Sequence, residues 1–247
     1  MKLNVSWITL CVLALALPPV GWGQASQPPP KVYTGSLGAG FAKTSGNTDT
    51  SNFNLTFDMT RDPKKKNVMK LNLLYLRAAV DAKATTDRLV LSFRDEYNLA
   101  KRTFLYGALG YLRDPFKDIS YLINPQGGVG YKLYTTDQTT FALSGGGGAV
   151  WEKDTGIEVH ASGTVNAAEN FSYKLSDAAS INQVISALWK TNDFDDALYH
   201  FGAALTLSIT KRVQTKLEFI DDFKNVTPNP AIKKNDSAYI WSFLYKF

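Results

Sequence analysis

Cysteine is almost missing from this chain: Cys11 is the only one in 247 residues, and it sits inside a leading apolar run. A chain processed beyond that run has no disulfide framework and no thiol nucleophile. Histidine is nearly as scarce. His160 and His200 are the only two, neither stands in a cluster with metal-ligand spacing, and no metal or cofactor is expected. Gly145-Gly-Gly-Gly148 has the composition of a phosphate loop but lacks the lysine and helix that should follow, so it reads as close packing or a bend in a strand. Long apolar runs are absent after the first twenty or so residues, which excludes membrane helices from the body of the chain. The net charge of +5 is scattered, and only Lys64-Lys65-Lys66 forms a basic run, inside a turn. With no basic face and no recognition motif, nucleic acid is not an expected partner.

What is present begins with an export signal. Lys2 gives a positive start, Val5 to Leu17 is mostly apolar, Pro18 and Pro19 end the run, and Gly23-Gln24-Ala25 supplies a small-x-small cleavage site. Residues 1–25 are therefore expected to be removed, Cys11 with them, and Cys11 lacks the small residues before it that lipid modification requires. Residues 26–32, with Gln27-Pro-Pro-Pro30, read as a stiff spacer, and residues 33–247 as one domain.

The domain alternates with a period of two. Phe53, Leu55, Phe57 and Met59 share one face, and Asn52, Asn54, Thr56 and Asp58 the other. Between turn signals, twelve strands are predicted near 33–44, 50–60, 67–79, 87–98, 103–113, 120–133, 139–151, 160–175, 179–190, 197–210, 212–222 and 237–247. Residues 160–175 place Glu169 on an otherwise apolar face. Connections after even strands are mostly short, such as Ser176-Asp-Ala178 and Lys211 alone. Those after odd strands are longer, such as Val80 to Thr86, Thr191 to Asp196 and Lys224 to Asp236.

That asymmetry, an even strand count and strands of about 10–14 residues predict an all-β, twelve-stranded antiparallel up-and-down barrel of the outer-membrane type. Closure removes sheet edges, which hydrocarbon cannot satisfy. The last strand, with Tyr239, Trp241, Phe243, Tyr245 and Phe247 on one face, then looks at lipid, and Trp241, Phe243, Tyr245 and Phe247 read as the signal for the barrel assembly machinery. A soluble β-sandwich is the competing reading.

The opposite face encloses the lumen, where function should sit. Alternation turns Asp58, Lys70, Asn72, Arg94, Glu96, Lys132, Lys174, His200, Lys216 and Glu218 inward. Asp58 is expected to pair with Lys70, and Glu218 with Lys216 or His200. Such pairs either fill a narrow barrel or line a water-filled path and bias its selectivity. The loop motif Arg113, Asp114, Pro115, Phe116 and Asp118 joins the fifth and sixth strands, with Pro115 setting a turn and Arg113 expected to fork onto Asp118. No serine motif accompanies either histidine, so no catalytic residue is assigned; a lipid hydrolase using His160 or His200, and a plugged structural barrel, are the alternatives to a narrow channel.

Gly46-Asn-Thr-Asp49, Tyr111-Leu-Arg-Asp-Pro-Phe-Lys-Asp-Ile119, Gly128-Val-Gly-Tyr131 and a last strand closing on Phe247 occur in that order. Over residues 33–247 this resembles the DUF481 family, described as salt-induced outer-membrane proteins of Gram-negative bacteria. Arg113-Asp-Pro-Phe116 with Asp118 is the most specific part. The resemblance implies an outer-membrane barrel in contact with lipid and a link to salt or osmotic stress. It supplies no ligand, catalytic residue or oligomeric state.

Overall fold

A computed structural model describes residues 32–44, 50–227 and 233–247. The strands are β1 (Tyr33–Thr44), β2 (Thr50–Arg61), β3 (Asn67–Val80), β4 (Lys83–Asn98), β5 (Thr103–Asp114), β6 (Ile119–Thr135), β7 (Thr139–Asp154), β8 (His160–Ser176), β9 (Ala179–Lys190), β10 (Asp193–Ser208), β11 (Val213–Lys224) and β12 (Asn235–Lys246). Each pairs antiparallel with its sequence neighbours, and β12 pairs with β1, so the sheet closes into the expected twelve-stranded barrel. The leader 1–25, most of the spacer 26–32 and the motif Gly46 to Asp49 lie outside the described residues.

Several strands run further than their sequence pattern. β4 starts at Lys83 and β10 at Asp193, so two of the expected long loops are tight turns. Asp81 and Ala82 both adopt positive φ, 49° and 62°, the twist that lets a two-residue hairpin carry its ladder to the tip. β7 likewise continues to Asp154 and β11 to Lys224. In the other direction, the turn between β10 and β11 takes residues 209–212 rather than Lys211 alone.

The faces follow from register. On β12, Tyr239 is 86% exposed and the other four rings are exposed on the outer wall, whereas Ser242 is 1% exposed, with Ile240 and Leu244 buried beside it on the inside. Glu218 lies opposite Ile240 and Lys216 opposite Ser242, which carries the inward parity to β11 and from there around the sheet. Glu169 points outward, between Leu143 and Ile185, and accepts a hydrogen bond from Gln183 Nε2 at 3.1 Å. That pairing lessens the cost of holding a carboxylate on the outer wall.

Candidate functional site

The inward row joins ten sequence-predicted side chains to others that sequence patterning passed over. Asp58, Lys70, Asn72, Arg94, Glu96, Lys132, Lys174, His200, Lys216 and Glu218 all have the inward parity. Their partners differ in part from expectation. Asp58 accepts from Asn72 Nδ2, its register partner, at 2.6 Å. Lys70 instead donates to Glu96 Oε1 at 3.0 Å, and the same oxygen accepts from Arg94 Nε at 2.8 Å. The register explains this: Lys70 lies opposite Thr60 on β2 but opposite Arg94 on β4, one inward step from Glu96. Lys216 pairs with Glu218 at 2.9 Å, as expected, while His200 Nδ1 meets Asp222 Oδ1 at 2.7 Å because Asp222 is its register partner. Lys132 donates to Asn98 at 2.6 Å, and Lys174 reaches Asp177 in the adjoining turn at 2.7 Å.

The connection after β5 turns into the barrel mouth. Pro115–Lys117 form one turn of 3-10 helix, closed by Asp118 in the left-handed region at φ 59°, whose N–H donates to Pro115 O at 3.2 Å. Arg113 does not fork onto Asp118; it bonds Asp87 on β4 at 3.2 Å. The two lie on the outer face, Arg113 opposite Leu89 and so diagonal to Asp87. Phe116 is exposed and Asp114 buried. The residue that does the anchoring is Lys117, which the motif reading skipped. It is buried, with Nζ at 3.1 Å from Asp236 Oδ2 and at 3.5 Å from the carbonyls of Asp222 and Lys234. Strands β11 and β12 lie across the barrel from β5 and β6 in the closed order, so this loop spans the mouth.

Two further ion clusters reinforce that end. Arg88 Nη1 on β4 meets Asp222 Oδ2 on β11 at 2.6 Å. Glu152 on β7 takes Lys190 from β9 on one oxygen and Lys224 from β11 on the other, both at 2.5 Å. Lys190 also holds Asp196 at 2.6 Å. Glu152 and Lys224 each keep only 4% of their side-chain exposure. Beside them, Ile119, Leu122 and Val150 are buried together with Leu112 and Leu198 packed against them. Glu152, Asp196 and Lys224 lie beyond the predicted ends of their strands, which is why alternation did not reach them. Arg88 and Lys190 lie inside predicted strands and have the same inward parity as the rest.

Below that closure the lumen holds a cavity of about 500 Å³, bordered among others by Arg94, Tyr106, Asn124, Gln126, Asn166 and His200. Its waist is built by one register row, Tyr106–Gly128–Gly146–Asn166, running across β5 to β8. A Cβ on Gly128 or on Gly146 would come within 2.8 Å of the Tyr106 side chain. The two glycines therefore let the phenol lie along the wall and reach Asn166, to which its hydroxyl donates at 2.5 Å. The arginine plane of Arg94 covers the ring at 3.9 Å from its centroid. Gly146 and Gly148 of the glycine run also pass close to β6 backbone, where a Cβ would meet Gly127 O and Pro125 O.

The barrel is similar in fold to an outer-membrane channel from Pseudomonas putida F1, at 13% identity over 93% of this chain and 100% of that one, with a TM-score of 0.51. It is also similar to the translocator domain of the autotransporter NalP from Neisseria meningitidis, at 12% identity over 89% and 90%, TM-score 0.51. The NanC porin aligns at 9% identity over 86% and 98%, TM-score 0.49. No curated protein matches the chain. A family model covers residues 37–247, from β1 through the last strand, and the chain therefore belongs to DUF481, described as a protein of unknown function.

Proposed function

We propose that this is a non-enzymatic channel of the Gram-negative outer membrane for small polar or ionic solutes, held shut at its loop end by ion pairs. The observation that carries the reading is a lumenal cavity of about 500 Å³, in which Lys70, Arg94, Glu96, Asn124 and His200 stand among apolar side chains, beneath a mouth that, among the described residues, is crossed by one inward-turned loop and a few charged contacts. A barrel whose only task is structural has no need of a chamber that carries charged and amide side chains beneath that crossing. Export with cleavage near Ala25, delivery through the barrel assembly machinery by Trp241, Phe243, Tyr245 and Phe247, and contact of the outer wall with lipid belong to the same proposal. So does the link to salt or osmotic stress. Of the pairs at the mouth, Lys117–Asp236 leaves Asp236 half exposed, so salt screens that contact over a Debye length of about 8–10 Å, and its loosening with rising salt favours the open form.

The test is planar-bilayer recording of the refolded protein. The wild-type chain is expected to give discrete steps above lipid background, more frequent at higher salt, and Lys117→Ala to raise the open fraction at low salt. Silence from both would leave the plugged structural barrel, the reading favoured by the apolar layer of Ile119, Leu122 and Val150. The lipid-hydrolase alternative has one supporting feature, the row Ser186–His200–Asp222 across β9, β10 and β11. Lipid cleavage abolished by His200→Ala would establish it and displace the channel.

A further inference from the structure

We infer that the waist of the lumen binds the carboxylate of a small hydroxylated organic anion, gripped between Arg94 Nη2 and Asn166 Nδ2. The inference deepens the channel reading and rests on it, since the solute has to reach the lumen.

Both nitrogens are buried donors without a hydrogen-bond partner. In a folded protein such donors are uncommon, because each has given up water for nothing in return. Asn166 is only 8% exposed, and its orientation is set by Tyr106, whose hydroxyl occupies the amide oxygen. The amide nitrogen is thus left as the free end. Arg94 is held just as firmly, through Nε on Glu96 and through its plane on the Tyr106 ring, which leaves an Nη edge unused. Both residues border the same cavity.

The chemistry of the missing partner follows from these groups. Two N–H donors, one of them cationic, match the two coplanar oxygens of a carboxylate. The charged side chains bordering the chamber favour an anion: Lys70, Arg88, Arg94, Lys117 and Lys224 outnumber Glu96, Asp114 and Asp222. Neutral hydrogen-bonding groups from Asn72, Ser92, Asn124, Gln126 and Asn170 border the rest of the chamber and suit hydroxyls rather than further charge. The volume of about 500 Å³ admits a molecule the size of a sugar acid.

The experiment is titration calorimetry of the refolded full barrel in detergent with sodium glucuronate, with methyl glucoside and sodium chloride as controls. Saturable heat is expected from glucuronate only. Arg94→Gln should weaken binding by about tenfold or more, as loss of a charge-assisted hydrogen bond does. Asn166→Asp keeps the acceptor for Tyr106 while replacing the donor with an anionic oxygen, and should abolish binding. Lys64→Ala, in a turn, should change nothing. Heat-modifiable migration on a detergent gel establishes that each variant is folded. A second variant, Ala108→Cys, places the only thiol of the processed chain against the chamber, where a small thiol reagent reports access. If that thiol reacts and glucuronate gives no saturable heat, or binds Asn166→Asp as well as wild type, the inference is overturned and the channel survives. If the thiol stays unreactive in bilayers at high salt, both fall.

Discussion

The two ends of the barrel are built from the same kinds of inward residue, yet they behave as different materials. At the loop end the ion pairs cross the lumen. Arg88 and Asp222 have β3, β2, β1 and β12 between them in the strand order, and Glu152 draws in lysines from β9 and β11. At the tight-turn end the pairs stay local: Lys216 with Glu218 on one strand, Lys70 with Glu96 on adjacent strands, Lys174 with Asp177 at the turn. Water separates the extremes. Glu152 and Lys224 are almost fully covered and Lys174 keeps half of its side chain exposed, while Lys216 and Glu218 are covered about as well as Arg88 and Asp222. A charge that reaches across must shed its hydration and depends on its partner to replace it, while a charge paired along the wall keeps both. The same alternation can thus close one end of a barrel and leave the other wet.

The sharpest way to break this contrast is Glu152→Ala. It strands the buried Lys224 and leaves Lys190 with Asp196 alone, and the expected loss is about 3–5 kcal/mol in denaturant unfolding of the refolded barrel. Restoring neutrality with Glu152→Ala in a Lys224→Met background, which keeps the Lys190–Asp196 pair, should recover most of that loss. Full stability in the single variant would mean the cluster is not desolvated as described. Next in size is Gly146→Ala at the waist. Its Cβ meets both β6 backbone and the Tyr106 hydroxyl, so a loss of about 1–3 kcal/mol is expected, with the Tyr106–Asn166 hydrogen bond disturbed. An unchanged midpoint would show that the close packing of β6 and β7 has slack. Smallest is Lys174→Ala at the wet end, where the change should stay below about 0.5 kcal/mol and vanish in high salt. A large effect there would erase the distinction between the two ends.

Much of the fold was legible because alternation is a local property. Phe53, Leu55 and Phe57 against Asn54, Thr56 and Asp58 declare two faces without any knowledge of neighbours. The aromatic stripe from Tyr239 to Phe247 fits no interior that also holds Ser242 and Lys216. Partners were much less legible. Pairing Lys70 with Glu96 instead of Asp58 depends on register, and register depends on turns such as Asp81-Ala82, whose two positive φ values add several paired residues to the β3–β4 hairpin. The strand tips were the least legible: Glu152-Lys-Asp154 looks like polar loop sequence until it is seen to pair with β6, and in Asp193-Phe-Asp-Asp196 only Asp193 pairs, with Lys190, before the register shifts at Ala197.

The sequence by itself determined that this chain is a closed barrel of twelve strands with its rings outside and its charges inside, since a period of two and the demands of backbone hydrogen bonding admit little else. Only the tertiary structure decided that Lys117 crosses the mouth, that Glu152 gathers two lysines, and that Arg94 and Asn166 meet at Tyr106. Those contacts join strands far apart in the chain, and their existence depends on barrel shear and diameter, which no short stretch of sequence encodes.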